Sequence, residues 1–543
     1  MRYVLMLLVL LIPLILLANL ANLSFKGDEA YALWKAKLLL AGEVPYTPNT
    51  PVTSAFMGDR KQYKSNTEVS FKTIPQLTLH NFEPFTTRAG WYNPCVPLYL
   101  RYRYDTLYPW MILRFDSNIE NNLKAVINLD FRKDYRSYIS HGPSGSATPL
   151  TNFPVELLKG DIRALDFSFP SFGYAAYSSN HFFASLGRYK LSWGPLRNGL
   201  TLSDASEYYD NFSSAFITPM GAGSFSYTFN LISVIPLLSS SEWERQTKVS
   251  EGNPHYWDLN QDQVYAEPSK LIVGHRFDIK PNRWLRFGIG EINVVGGKHP
   301  DLTDFNPFIV FHNTYGEGFS NVMMSIDFSI VPAKGLQIYG EFTMDDFAGP
   351  TEAGARGKPN AMAYGLGIEY FQETSYGLLR LSGEIYHTDT WIYNRWQPLL
   401  KITNRTITKS ELPGSRDANE YPLGFKYGPD LNAFSLLFEW LANHMNISLK
   451  FEHFTQGEVT LDTPYLNMDE PSDEPGEFTD RESWKGPVGE LKKANIVTLK
   501  LKHGSFRSVK IGTDLGIYFG SYFEQYTTRK FTFELRPFIE LEF

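Results

Sequence analysis

Only one cysteine, Cys95, occurs in 543 residues, so no intramolecular disulfide can hold the chain. There is no H-E-x-x-H, no close His or Cys pairing at metal-ligand spacing, no G-x-S-x-G and no phosphate loop, and the eleven histidines are scattered. No metal or cofactor is therefore expected, and no local catalytic motif is present; a site assembled from distant strands is the form an enzyme would have to take. Positive charge is in deficit, 51 Lys and Arg against 58 Asp and Glu, which argues against a nucleic-acid partner. Beyond residue 22 no apolar stretch reaches the ~18 residues a spanning helix needs. If the protein lies in a membrane, only a closed β-barrel can satisfy its backbone there.

Aromatic residues, by contrast, are abundant: 40 Phe, 32 Tyr and 11 Trp, 15% of the chain. With a slightly negative mean hydropathy, this suits a surface that alternates between lipid and water. The N-terminus reads as a secretory signal peptide over residues 1–21, with Arg2 ahead of an apolar run from Val4 to Leu17 and small residues at Ala18 and Ala21. An uncleaved anchor helix is the competing reading. No cysteine follows the run, so a lipoprotein anchor is not expected. Residues 22–66 form an N-terminal segment in which Asp28 to Gly42 predicts a short amphipathic helix at the periplasmic mouth, and residues 67–543 are assigned to the barrel.

In a transmembrane strand every second side chain faces lipid. The last thirteen residues comply except at Phe538: Phe531, Phe533, Leu535, Pro537, Ile539, Leu541 and Phe543 against Thr532, Glu534, Arg536, Glu540 and Glu542. Such a strand ending in Phe543 resembles the signal read by the barrel-assembly machinery of outer membranes. The same alternation recurs at 336–344, 379–385 and 445–452. Further segments are predicted near 98–104, 124–132, 271–279, 322–330, 362–370, 432–440, 496–502 and 509–519. Weaker ones fall near 68–74, 109–115, 162–169, 181–190, 224–234 and 284–292. From residue 281 onward short links alternate with long ones, as periplasmic turns alternate with extracellular loops. The expected fold is all-β, a transmembrane antiparallel barrel of about 16 to 18 strands embedded in outer-membrane lipid. Residues 191–223 are left open between a further strand and a plug. A soluble sandwich or propeller is the alternative fold.

Leu186 to Pro195 carries Arg188 into Trp193-Gly194-Pro195, and Leu202-Ser203-Asp204 follows. This stretch resembles the core motif of the Wzi-like capsule-assembly outer-membrane proteins, departing from it at Leu196 and Ala205. His275-Arg276-Phe277 with Asp304 to Phe308, including Asn306 and Pro307, resembles a second block of that family. Leu336 to Phe347, with Asp345 and Asp346, resembles a third. The resemblance implies a barrel of about eighteen strands that binds capsular or exopolysaccharide as a lectin-like, non-enzymatic partner. The residues also admit plainer roles: Arg188 paired to an inward carboxylate, Trp193 in a girdle, Gly194-Pro195 in a turn. Asp345 and Asp346 either hold a divalent ion with Glu352 or are simply solvated.

Aromatic rings stack on sugar C–H faces while neighbouring polar groups take hydroxyls. Tyr256, Trp257 and Asp258, then Trp391, Tyr393, Asn394, Arg395 and Trp396, and Trp484 with its charged neighbours, form such mixtures, with interfacial anchoring as the alternative. The expected function is polysaccharide binding in capsule or exopolysaccharide assembly. A porin-like channel lined by Arg380, Glu384, Lys450, Glu452, Glu534, Arg536 and Glu540 is the second reading, and a structural envelope protein the third.

Overall fold

The computed structural model describes residues 21–57, 65–81, 98–120, 122–133, 150–166, 171–248, 267–309, 320–346, 360–395, 397–409, 416–442, 444–463, 485–506, 508–524 and 529–543. The signal-peptide run up to residue 20, Cys95, Trp257, Trp396, Trp484 and the acidic stretch 469–480 lie outside the described residues.

Eighteen antiparallel strands close on themselves. They are β1 (Asn66–Thr73), β2 (Met111–Glu120), β3 (Leu123–Lys133), β4 (Phe172–Ser178), β5 (Phe182–Tyr189) and β6 (Tyr209–Met220). Next come β7 (Gly223–Ser233), β8 (Glu267–Asn282), β9 (Leu285–Gly297), β10 (Ser320–Ala333), β11 (Leu336–Asp346) and β12 (Ala361–Thr374). The circuit ends with β13 (Gly377–Thr388), β14 (Leu431–Leu441), β15 (Met445–Gln456), β16 (Lys492–Phe506), β17 (Val509–Phe519) and β18 (Phe531–Glu542). Beyond Pro75 the first strand resumes at Leu77–His80, so β18 closes the barrel by pairing Leu541 with Thr73 and Leu535 with Leu79.

Every even-to-odd link before β1 is reached again on the Phe543 side is a tight turn, and every odd-to-even link after β1 is long. Two expected strands are corrected. Residues 98–104 fold as a helix, α2 (Leu98–Asp105). It sits in the lumen, where no strand edge is free, and Arg103 reaches Glu534 at 2.8 Å. Of the stretch 162–169, the described residues 162–166 form a 3-10 turn, Ile162–Ala164, and a two-residue strand, Leu165–Asp166. Conversely β4 and β6 are full strands that the sequence pattern did not mark, and the open question at 191–223 resolves into both answers: residues 190–208 enter the lumen and β6 follows.

The wall obeys the period-two rule most plainly in β12, where inward and outward residues alternate between buried and exposed for ten positions. Many inward charges are paired. Arg276 and Arg286 interleave with Asp278 and Asp327 in a closed ring of four contacts at 2.6–2.7 Å. A buried charge of this kind is tolerable only when its hydrogen bonds are completed, and Thr47 and Asn49 add theirs to Asp278.

At the periplasmic end lies α1 (Glu29–Leu40). It ends where Gly42 takes φ +79° and Gly42 N–H and Glu43 N–H donate to Leu39 and Leu38 carbonyls, a left-handed helix stop. Ala36, Leu39 and Val44 pack on Val331, Phe371 and Leu378 beside the short turns, and Lys35 pairs with Glu369. The expected helix is thus tied into the mouth of the barrel.

Candidate functional site

The lumen is occupied by the segment that carries the Trp-Gly-Pro motif. Residues 190–208 leave β5 and double back through the interior before β6 begins. Trp193 is 2% exposed; its indole N–H donates to Asn230 at 3.0 Å and its ring lies over Gly290 and Gly274, at the latter of which a Cβ would collide with it. Gly194 has φ +76°, and a Cβ there would strike the Glu341 carboxylate. That carboxylate accepts the Leu196 and Leu200 N–H groups at 2.8 and 3.0 Å, capturing both limbs of the turn. Lys26 donates to the Gly194 and Leu196 carbonyls at 2.8 and 2.6 Å. Burial lowers the Lys26 ammonium to about 8 against the pull of Glu341 and Asp204. Ser203 donates to the Gly424 carbonyl, and Tyr209 donates to the Ser203 carbonyl at 2.6 Å. Lys190 bonds the Asp204 carbonyl at 3.1 Å.

Above this plug the loop between β13 and β14 folds inward. A hairpin of Thr403–Lys409 and Arg416–Pro422 forms part of it. Glu420 is its electrostatic centre, taking Lys401 at 2.7 Å, Thr403 at 2.7 Å and Arg405 at 3.0 Å. Burial opposes ionisation of Glu420, but Arg405 and Lys401 outweigh it and hold the carboxyl well below its usual range. Arg405 also pairs with Glu242 of α3 (Ser240–Lys248). That helix starts in a capping box: Glu242 N–H donates to Ser239 Oγ and Ser239 N–H to Glu242 Oε2. Gln246 fastens it by accepting the Leu399 N–H at 3.0 Å. On its free side Trp243 is 38% exposed.

Asp430 joins three loops. Its carboxylate accepts N–H groups of Val459 and Val488 at 3.1 and 3.0 Å and the Thr390 hydroxyl at 3.2 Å. Burial raises it to about 6, against these donors.

The family-motif residues therefore separate. Trp193, Gly194, Pro195 and Ser203 lie in the plug. Arg188 does not: it faces outward from β5 and grips Asp210 with two bonds of 2.6 and 2.7 Å. Asn306 and Pro307 sit on the outer wall, where the Tyr227 hydroxyl bridges the Pro307 carbonyl and His275 Nδ1, bringing together the two halves of the second block. Asp345 turns inward and accepts the Tyr393 N–H at 3.1 Å; the side chains of Asp346 and Glu352 lie outside the described residues. Among the described residues no group of three His, Cys, Asp or Glu could hold a metal.

Of the aromatic candidates, Trp391, Tyr393 and Arg395 are brought together, but buried. Tyr393, at φ +69°, donates to the Leu200 carbonyl at 2.7 Å and accepts the Phe425 N–H, clamping loop to plug. The inward channel residues are likewise engaged, as in Arg103–Glu534–Arg536 and Lys426–Glu452–Lys450. Trp243 was not singled out by sequence, although its Ser239-x-x-Glu242 box was there to be read.

The Wzi capsule assembly protein family model matches residues 171–474, more than half the chain. Among solved structures, Wzi of Escherichia coli superposes with a TM-score of 0.52 at 14% identity, covering 96% of this chain and 99% of its own. That protein is an outer-membrane, carbohydrate-binding β-barrel involved in group 1 capsule assembly. OccK5 of Pseudomonas aeruginosa (TM-score 0.38, 8% identity, 88% of this chain and 98% of its own) and a loop L8 deletion mutant of the outer-membrane protein OmpT of Vibrio cholerae (0.32, 9%, 88% and 99%) are more distant matches. No curated protein matches. The family and the fold agree, and this chain is an integral outer-membrane β-barrel belonging to the Wzi capsule-assembly family.

Proposed function

We propose that the barrel binds surface polysaccharide at its extracellular cap and serves capsule or exopolysaccharide assembly or attachment, without catalysing a reaction. The observation that carries this reading is the plug, α2 and the infolded loop inside the lumen, which leave a polar cavity of about 520 Å³ beside α1. Of the inward residues that would line a channel, Glu384 accepts the Arg197 N–H of the plug, Glu534 and Arg536 hold α2, and Glu452 takes Lys426 of the loop after β13. The surface offered to a polymer is the outer cap, where α3 is pinned by Glu242 and Gln246 and leaves Trp243 partly exposed beside Glu244 and Arg245. An aromatic face flanked by charge and amide groups suits a sugar.

The test combines planar-bilayer conductance with retention of host polysaccharide on immobilised protein. A silent barrel that retains polymer, and releases it when Trp243 and Trp257 are changed to Ala, supports the reading. Large steady openings, or retention unaltered by those changes in a folded barrel, sink it and favour a channel. Trp391→Ala, by contrast, is expected to act on loop packing.

A further inference from the structure

Beyond residue 297 the chain turns down over the outside of the barrel. Ser269 reaches the Lys298 carbonyl and Tyr227 the Pro307 carbonyl, so residues 298–309 run along the outer face of β7 and β8, where Phe229, Leu271, Val273 and Val295, all outward, form a buried cluster. Beside this flap the wall is recessed into a groove of about 1050 Å³, at the upper end of the ~300–1,000 Å³ that ligand pockets span. The recess exists because Ala125, Gly173 and Ala175 place almost no side chain on the outer face of β3 and β4. Leu186 and Phe212 continue the floor, and Pro300 and Phe305 of the flap form the far wall.

Two facts fix what such a groove meets. Leu186, in its floor, is 66% exposed and continuous with the apolar belt that faces lipid. One row above it, near the extracellular ends of β5 and β6, Arg188 and Asp210 are paired on that same outer face, the guanidinium 4.0 Å from the Tyr208 ring. A charge on the lipid face costs ~2–4 kcal/mol at the midplane and about 0–1 near the interface. The pair therefore marks the headgroup level, and the apolar floor below it lies in the hydrocarbon of the outer leaflet.

We propose that this groove seats one acyl chain of an outer-leaflet lipid, with its polar head at the level of Arg188 and Asp210. The site is independent of the sugar-binding surface.

The full-length barrel, placed in phospholipid vesicles containing a phospholipid with a diazirine in its acyl chain, should cross-link several-fold more strongly along β3 to β6 and at residues 300–305 than along β12 and β13. Ala175→Trp fills the recess and should remove the enrichment, whereas Leu366→Trp on the opposite arc should leave it. Even labelling around the belt, or enrichment that survives Ala175→Trp in a barrel whose heat-modifiable mobility shows it folded, overturns the proposal. Should that variant fail to fold, Ala125→Leu, a smaller intrusion into the same recess, is judged by the same two outcomes.

Discussion

Two arcs of the outer wall meet lipid differently. In β12 the outward positions Tyr364, Leu366, Ile368 and Tyr370 are all exposed, two aliphatic side chains between two aromatic ones, as an uncovered belt requires. Across β7 to β9 the outward positions include His275, Glu291 and Asn293, each at most 2% exposed, on the face where Pro307 of the long loop after β9 meets the Tyr227 hydroxyl. Period-two hydrophobicity is thus a rule about uncovered wall. Where a loop supplies the cover, the outward face can be as polar as a lumen.

The sharpest way to break this contrast is Leu366→Lys. Near the middle of the uncovered arc it should cost ~2–4 kcal/mol in reversible urea unfolding from lipid vesicles, whereas a loss under ~1 would make the two arcs equivalent. Next in size is His275→Leu. It removes a partner of the Tyr227 hydroxyl beneath the flap, at about 1–3 kcal/mol, and should speed amide exchange in residues 298–309 while leaving β12 unchanged. Unaltered exchange there would show that the flap does not depend on the polar patch. The smallest effect is expected at the boundary between cover and belt. A double-mutant cycle on Arg188→Gln and Asp210→Asn should give a coupling of only ~0.2–1 kcal/mol, since both side chains are partly exposed. A coupling of several kcal/mol would place the pair deep in hydrocarbon instead of at the headgroups.

The same contrast explains what could be read in the sequence. β12, β15 and β18 face lipid without cover, so their side chains alternate and the strands are legible. β4 carries Tyr174 inward and Tyr177 outward with alanines between, and β6 puts Asp210 on its lipid side, so neither shows a clean period. Leu98 to Asp105 does alternate, yet it is a helix because it lies inside the barrel. The count of strands came out right while these particular segments exchanged places. At the candidate site, the composition of residues 391–395 reads equally as an outstretched loop or an infolded one. What decides is Asp345 and Leu200, more than forty residues away, each offering Tyr393 a bond. Arg188 is illegible for a related reason: a motif read along the chain does not say which side of the wall its arginine takes.

The filling of the lumen also has a consequence in time. Residues 21–57, α2, the Trp193 turn and the hairpin after β13 come from widely spaced parts of the chain and lean on one another, as where Lys26 holds the Gly194 carbonyl and Arg101 the Glu420 carbonyl. None of these stretches can find its final neighbours until strands on both sides of it have been laid down. Contacts so distant in sequence form slowly, because long loops must close before the contacts reward them. The wall can grow hairpin by hairpin, but its interior is completed only near the end, so the first residues to emerge are among the last to settle.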